Sequence, residues 1–318
     1  MKFRIRDFLE NRDGWIFAVA DYNHDRGVRC MLRYIPHPQG ERRAEGRKYH
    51  KLDFDEAFTF LKRERPGYVK DLHIVPEDDV KNVFRPSNGL KNIVKTDARV
   101  DKLATLFEDA GVPREEMGIT GSMLLGLNSP KSDIDFVVYG HCWWKARDAL
   151  SEAKKEGRIQ DLDEIMWHRI YTKRNPETSY EEFVLHEKRK GNRGVIDGTY
   201  FDLLFTRDWR QIEPFSEGIP LGKSKITAEV VKADFAFDSP AIFELNHDKV
   251  NEIYCYTHTY AGQALPGEEV EALGVIERTD KGFRLVVGTT REARGEWIRS
   301  LTLLQDKRKR VNCSKYDD

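Results

Sequence analysis

The sequence of 318 residues has only four cysteines, Cys30, Cys142, Cys255 and Cys313. They are far apart and form no Cys-x-x-Cys pair, so neither a disulfide framework nor a zinc ribbon is indicated, and free thiols in a reducing compartment are expected. Long apolar runs are also missing. No stretch approaches the roughly 20 residues of a membrane helix, and charges break the opening MKFRIRDFLENRD so that no more than two apolar residues adjoin. The expected location is therefore cytoplasmic, with no membrane partner. Neither sign of charge dominates: 53 Lys and Arg face 54 Asp and Glu. This balance excludes a polycation that holds nucleic acid by bulk charge, and local clusters must supply any such contact. Other signatures are absent too. None of the nine histidines forms HExxH or a zinc-spaced His/Cys cluster. No GxGxxG fingerprint, GxxxxGK[ST] loop or GxSxG elbow occurs, so hydride transfer, P-loop hydrolysis and acyl transfer by serine drop out as leading readings.

The length is a prior for two or three domains, and three blocks emerge. Residues 1–92 open with strand-like runs at Trp15–Asp21 and Val28–Ile35, joined by a polar turn. A helical run follows near Asp55–Arg63, with a further strand over Tyr68–Val75. Pro86 and Ser87-Asn88-Gly89 read as a boundary. Residues 93–215 begin with a helix whose Val100, Leu103, Ala104 and Phe107 share one face. A short run, Met117–Thr120, a Gly-Ser turn and a strand over Asp133–Tyr139 come next. Two helical stretches then lead to a strand over Thr199–Phe205. Residues 216–318 hold short strand candidates at spacings that suggest a small barrel or sandwich, then a helix predicted over Arg291–Leu304 and a basic run, Lys307–Arg310. The charges divide unevenly: residues 1–92 carry 19 basic and 15 acidic side chains.

The chemistry sits in the segment Gly118–Tyr139, GITGSMLLGLNSPKSDIDFVVY. A strand leads into Gly121-Ser122 and a helix begins there. Backbone N–H groups at such a start hold phosphate oxygens. Asp133 and Asp135 follow at i and i+2, so on a strand they point to the same side. Paired carboxylates suit a hard cation such as Mg²⁺ that also binds substrate phosphates. Asp202 is a lone acid in the apolar strand Tyr200–Phe205. Burying it unpaired is costly, so it needs a cation or hydrogen-bond partners.

A Gly-Ser turn, an Asp-x-Asp on the following strand and a later strand aspartate resemble the DNA polymerase β-type nucleotidyltransferase superfamily. That group includes CCA-adding enzymes, poly(A) polymerases, antibiotic nucleotidyltransferases and small antitoxin-type proteins. The resemblance covers about residues 93–210, and the whole chain is similar to uncharacterised archaeal predicted nucleotidyltransferases. It implies that Gly121 and Ser122 hold a nucleoside triphosphate and that Asp133, Asp135 and Asp202 bind Mg²⁺ or Mn²⁺. Asp202 would also help deprotonate the attacking hydroxyl. The 67-residue gap from Asp135 to Asp202 is long for a minimal member: either the intervening helices and basic loop carry substrate contacts, or a residue other than Asp202 completes the site.

Further candidates surround this core. Lys131 and Ser132 precede the Asp-x-Asp. Lys188, Arg189, Lys190 and Arg193 lie in a basic stretch, read as a loop, just before the Asp202 strand, and can grip a triphosphate or a nucleic-acid backbone. Tyr254, Tyr256, His258 and Tyr260 alternate, either as a base-stacking face or as barrel core. The expected architecture is α+β: a central nucleotidyltransferase-like mixed sheet with helices (93–215), a small N-terminal α/β domain (1–92) and a C-terminal β-barrel-like domain (216–318). The expected activity is metal-dependent transfer of a nucleoside monophosphate from an NTP to a hydroxyl acceptor, with RNA favoured over DNA. The rival readings are a catalytically silent nucleotide- or RNA-binding module and transfer onto a partner protein.

Overall fold

The computed structural model describes residues 2–130, 132–214 and 216–313, with side chains as far as Lys307. The described chain divides into two compact units. One comprises residues 1–161 and 192–215, and the other residues 162–191 and 216–318. This partition differs from the three sequence blocks: it joins most of the first two and assigns residues 162–191 with the third.

The first unit opens with strands β1 (Phe8–Asn11), β2 (Ile16–Val19), β3 (Val28–Pro36), β4 (Arg42–Ala44) and β5 (Arg47–Lys51). Helix α1 (Phe54–Glu64), strands β6 (His73–Val75) and β7 (Val80–Phe84), and helix α2 (Pro86–Ile93) follow. The strands form a sheet of order β4-β5-β3-β2-β1-β7, with β6 paired to β3. Strand β3 alternates: Val28, Cys30 and Leu32 are fully buried, and the residues between them are partly exposed. Helix α1 begins at a reciprocal capping box between Asp53 and Glu56 and buries Ala57 and Leu61, four residues apart. They pack with Leu9, Phe17, Leu32 and Val75. Each such leucine contributes about 2 kcal/mol by leaving water.

The Pro86 cluster, read as a boundary, instead starts α2. Proline at the first helical position loses no hydrogen bond. Gly89 lets Leu124 approach, since a Cβ there would lie 2.5 Å from its Cδ1. The expected strand over 68–75 shortens to β6, because residues 66–68 form a 3₁₀ turn.

The central sheet uses β8 (Met117–Ile119), β9 (Ile134–Tyr139), β10 (Arg193–Ile196) and β11 (Thr199–Thr206), in the order β10-β11-β9-β8. Strand β11 runs parallel to β9, and the other pairs are antiparallel. Helices α3 (Ala98–Asp109) and α5 (Cys142–Lys155) pack on it, and helix α4 (Gly121–Leu124) follows β8. Phe107 of α3 meets Phe136 of β9 edge-on at 5.2 Å, and Trp143 of α5 meets Phe205 of β11 at 6.1 Å. Phe136, Val137 and Val138 are successive and all fully buried. Strand β9 is thus covered on both faces, which fixes where its first residues emerge.

The second unit holds helices α6 (Glu164–Arg174) and α7 (Tyr180–Lys190), strands β12 (Ile219–Lys232), β13 (Ala241–Asn246), β14 (Val250–Cys255), β15 (Glu269–Thr279), β16 (Gly282–Val287) and β17 (Trp297–Ser300), and helix α8 (Leu301–Cys313). Strand β12 pairs with both β13 and β15. The pairings therefore close a ring, β12-β13-β14-β16-β15, with β17 added on β15. The barrel-like expectation holds, and so does the α+β class. The predicted final helix is corrected: Trp297–Ser300 form a strand before α8 begins. Strand β14 ends at Cys255, so Tyr256, His258 and Tyr260 do not continue it. Tyr260 is buried, while Arg284 and Arg291 stack on the half-buried Tyr254 and Tyr256.

Candidate active site

The Gly-Ser turn is built by a backbone constraint and a close approach. Gly121 has φ +68°, in the left-handed region that glycine enters without strain. A Cβ at this position would lie 2.2 Å from Oδ2 of Asp135. The carboxylate of β9 therefore packs directly on the backbone of the turn. The Thr120 N–H donates to the Asp135 carbonyl at 3.0 Å, locking β8 and α4 to the start of β9. Thr120 is itself held, its hydroxyl donating to the Arg6 carbonyl at 2.7 Å. Gly121 and Ser122 are half-buried, and the Leu127 N–H closes the short helix on the Ser122 carbonyl at 2.9 Å.

Strand register places the acids. Asp202 of β11 sits directly beside Asp135 of β9, and Arg193 of β10 sits directly beside Asp202. The three form one transverse row across three adjacent strands, whose spacing is about 4.8 Å. Arg193 Nε donates to Asp202 Oδ1 at 2.8 Å, and both side chains are largely buried. Asp202 thus has the partner that burial demands, and it is a cation from its own sheet. Asp133 lies exposed one residue before β9. Among the described residues, no group of three or more His, Cys, Asp or Glu side chains is gathered closely enough to hold a metal ion. The donor chemistry that does fit a divalent cation is the Asp133–Asp135 pair, with Asp135 fixed by Gly121.

The other candidates separate. Ser132 Oγ accepts from the Ser129 N–H at 2.9 Å and so shapes the loop before Asp133. Lys131 lies outside the described residues. Lys188, Arg189 and Lys190 are not in a loop. They form the last turn of α7, in the second unit. Serine at the N-cap and left-handed Gly191 at the end delimit this helix. Arg189 pairs there with Glu268. Lys190 is buried, donating to Glu187 and to the Thr259 carbonyl. His186 Nε2 accepts from the Ser300 N–H, so Nδ1 carries the proton and donates to the Glu182 carbonyl. Burial pushes this imidazole down to about 3. Lys188 is exposed. Arg193, in the first unit, lies in the aspartate row.

Three residues near this site were not expected. Tyr34 of β3 and Tyr49 of β5 pack with Leu125 and Leu127, just after α4. Burial pushes the Tyr34 hydroxyl up, with Arg33 and Arg42 acting against this and Asp135 with it. Arg42 of β4 donates through Nη1 to the Leu127 carbonyl at 3.3 Å and to Ser132 Oγ at 3.4 Å. The available signal was Glu45-Gly46, a two-residue turn with both φ positive, which folds β4 onto β5.

A family model described as a nucleotidyltransferase domain matches residues 100–190, a span that includes Gly121, Ser122, Asp133 and Asp135 but stops short of Asp202. No solved structure matches the chain. An uncharacterised protein of Methanocaldococcus jannaschii, MJ1086, is 40% identical over 337 aligned residues, covering 94% of this chain and 99% of its own. Identity of that extent along nearly the whole of both chains, on top of the domain match, places this chain in the nucleotidyltransferase family of the DNA polymerase β type, beside that archaeal protein.

Proposed function

We propose that the chain transfers a nucleoside monophosphate from an NTP to a hydroxyl acceptor, with a divalent cation at Asp133 and Asp135. The observation that carries this reading is the packing of the Asp135 carboxylate on Gly121, which sets an acid against a phosphate-binding turn. The backbone of Gly121-Ser122 binds the triphosphate, with the Ser122 hydroxyl as a further donor. When bound, Mg²⁺ or Mn²⁺ supplies charge neutralisation and Lewis acidity at the phosphate. The acceptor oxygen forms a bond to the α-phosphorus while the bond to the bridging oxygen breaks and pyrophosphate leaves. The proton of the acceptor hydroxyl passes to Asp202, through Oδ2, because Arg193 engages Oδ1. Arg193 also keeps this carboxylate beside Asp135 rather than turned away.

RNA is the favoured acceptor. The support is the excess of basic side chains in residues 1–92, several of them on the β4–β5 hairpin. The Arg193–Asp202 ion pair favours a second reading, a silent nucleotide-binding module, because it ties up the third carboxylate. Incubation with each α-labelled NTP, Mg²⁺ and RNA, DNA or protein acceptors separates the readings. Labelled RNA supports the first. NTP binding without transfer to any acceptor supports the silent module, and labelled protein bands indifferent to added RNA indicate a protein acceptor.

A further inference from the structure

A triphosphate needs cations as well as backbone donors, and three of those expected from the sequence already hold carboxylates: Arg193 holds Asp202, Arg189 holds Glu268, and Lys190 holds Glu187. A different cation is delivered to the site by the N-terminal sheet. The register pairs Arg42 with Tyr49, and Tyr34 with Lys51. Residues opposite each other share a face, so Arg42 lies on the face whose Tyr34 and Tyr49 pack against Leu125 and Leu127. Arg43, its neighbour, points to the other side and is exposed. The Arg42 guanidinium reaches the loop that joins the Gly-Ser helix to Asp133, through Leu127 and Ser132. Both contacts are long for hydrogen bonds and come from one nitrogen. Its Nε is buried and meets no hydrogen-bond partner among the described residues. A planar fork tethered through one terminal nitrogen, with donor capacity left over, is suited to contact with phosphate oxygens.

We propose that Arg42 is a triphosphate-binding residue, supplied to the nucleotidyltransferase site by the β4–β5 hairpin. This rests on the proposed NTP site at Gly121-Ser122. It makes the N-terminal sheet part of the nucleotide pocket rather than a separate module, and it makes the phosphate tail the part of the nucleotide that Arg42 reads.

Equilibrium dialysis of the full chain against NTPs, the matching nucleoside monophosphates and inorganic triphosphate tests this, alongside melting temperatures. In Arg42→Ala, affinity for NTP and inorganic triphosphate falls by on the order of 10-fold or more, while affinity for monophosphate stays within about 2-fold. Arg43→Ala changes none of the three. Arg42→Lys, which keeps the charge and loses the fork, falls between wild type and Arg42→Ala and serves alone if the alanine variant does not fold. Equal loss of monophosphate and triphosphate binding would show a purely structural role and overturn the proposal. So would a folded variant with wild-type NTP affinity, and that result would leave the transferase reading standing. Wild type that binds no NTP overturns both.

Discussion

Substitution of Gly121 by alanine separates the local backbone cost from the cost to the site. At φ +68° a residue with a Cβ pays about 1–2 kcal/mol of left-handed strain. The new Cβ would also stand 2.2 Å from Asp135 Oδ2, a separation real contacts do not show, so the carboxylate must retreat by roughly 1 Å. A carboxylate at the end of a side chain moves more cheaply than backbone, so stability falls by only about 2–3 kcal/mol in all. Activity falls further, because a displacement near 1 Å in a reacting constellation costs about 100-fold. Gly111 is the control: its φ is +81°, and a Cβ there would meet nothing within 4 Å. Gly111→Ala therefore carries the strain alone. The assay is nucleotidyl transfer at saturating NTP beside urea unfolding for both variants. If Gly121→Ala transfers label as fast as Gly111→Ala, the Asp135 carboxylate is not held in place by the turn and the argument fails.

Other outcomes follow from buried charges. Asp7 is almost fully buried, and burial pushes its carboxyl up to about 6 against the Arg4 N–H and the cations Arg85 and Arg4. Its native pKa exceeds the unfolded value, so its contribution to stability is full below about pH 4 and is lost as pH rises toward 6. Asp7→Asn removes that loss. The stability of the variant relative to wild type rises across this window by up to about 3 kcal/mol, and a difference that is flat in urea melts from pH 4 to 7 contradicts it. Arg193→Met leaves Asp202 buried and unpaired and lowers stability by about 3 kcal/mol, of which Asp202→Asn in the same chain restores part. Strictly additive effects in this double-mutant cycle would mean that the two side chains do not interact.

Much of the geometry around the candidate site was legible because its residues are close in sequence. Glycine before a helix start, and acids at i and i+2 entering an apolar run, require no tertiary knowledge. The helix α3 was equally plain, since Val100, Leu103, Ala104 and Phe107 draw its buried stripe. Helix α7 was not, because it buries Glu187, Lys190 and His186, whose burial depends on partners distant in sequence. A polar stretch with Lys-Arg-Lys near a glycine reads as an exposed loop when those partners are unseen. The β4–β5 hairpin escaped for a related reason. In Arg42–Lys51 most side chains are charged, and the pattern hides the one face, Ala44 and Tyr49, that meets Leu125 and Leu127. The partner of Asp202 needed strand order: Arg193 is nine residues away, but only antiparallel pairing of β10 with β11 puts it alongside.

The central claim is that Asp135, fixed on Gly121, works with Asp133 in nucleotidyl transfer. The direct measurement is the rate of label transfer from an α-labelled NTP by wild type, Asp133→Asn and Asp135→Asn, with Mg²⁺ present and after chelation. The account predicts transfer by wild type that chelation abolishes, and a fall of at least about 100-fold in each variant with the fold retained. Transfer by either variant at the wild-type rate would contradict it.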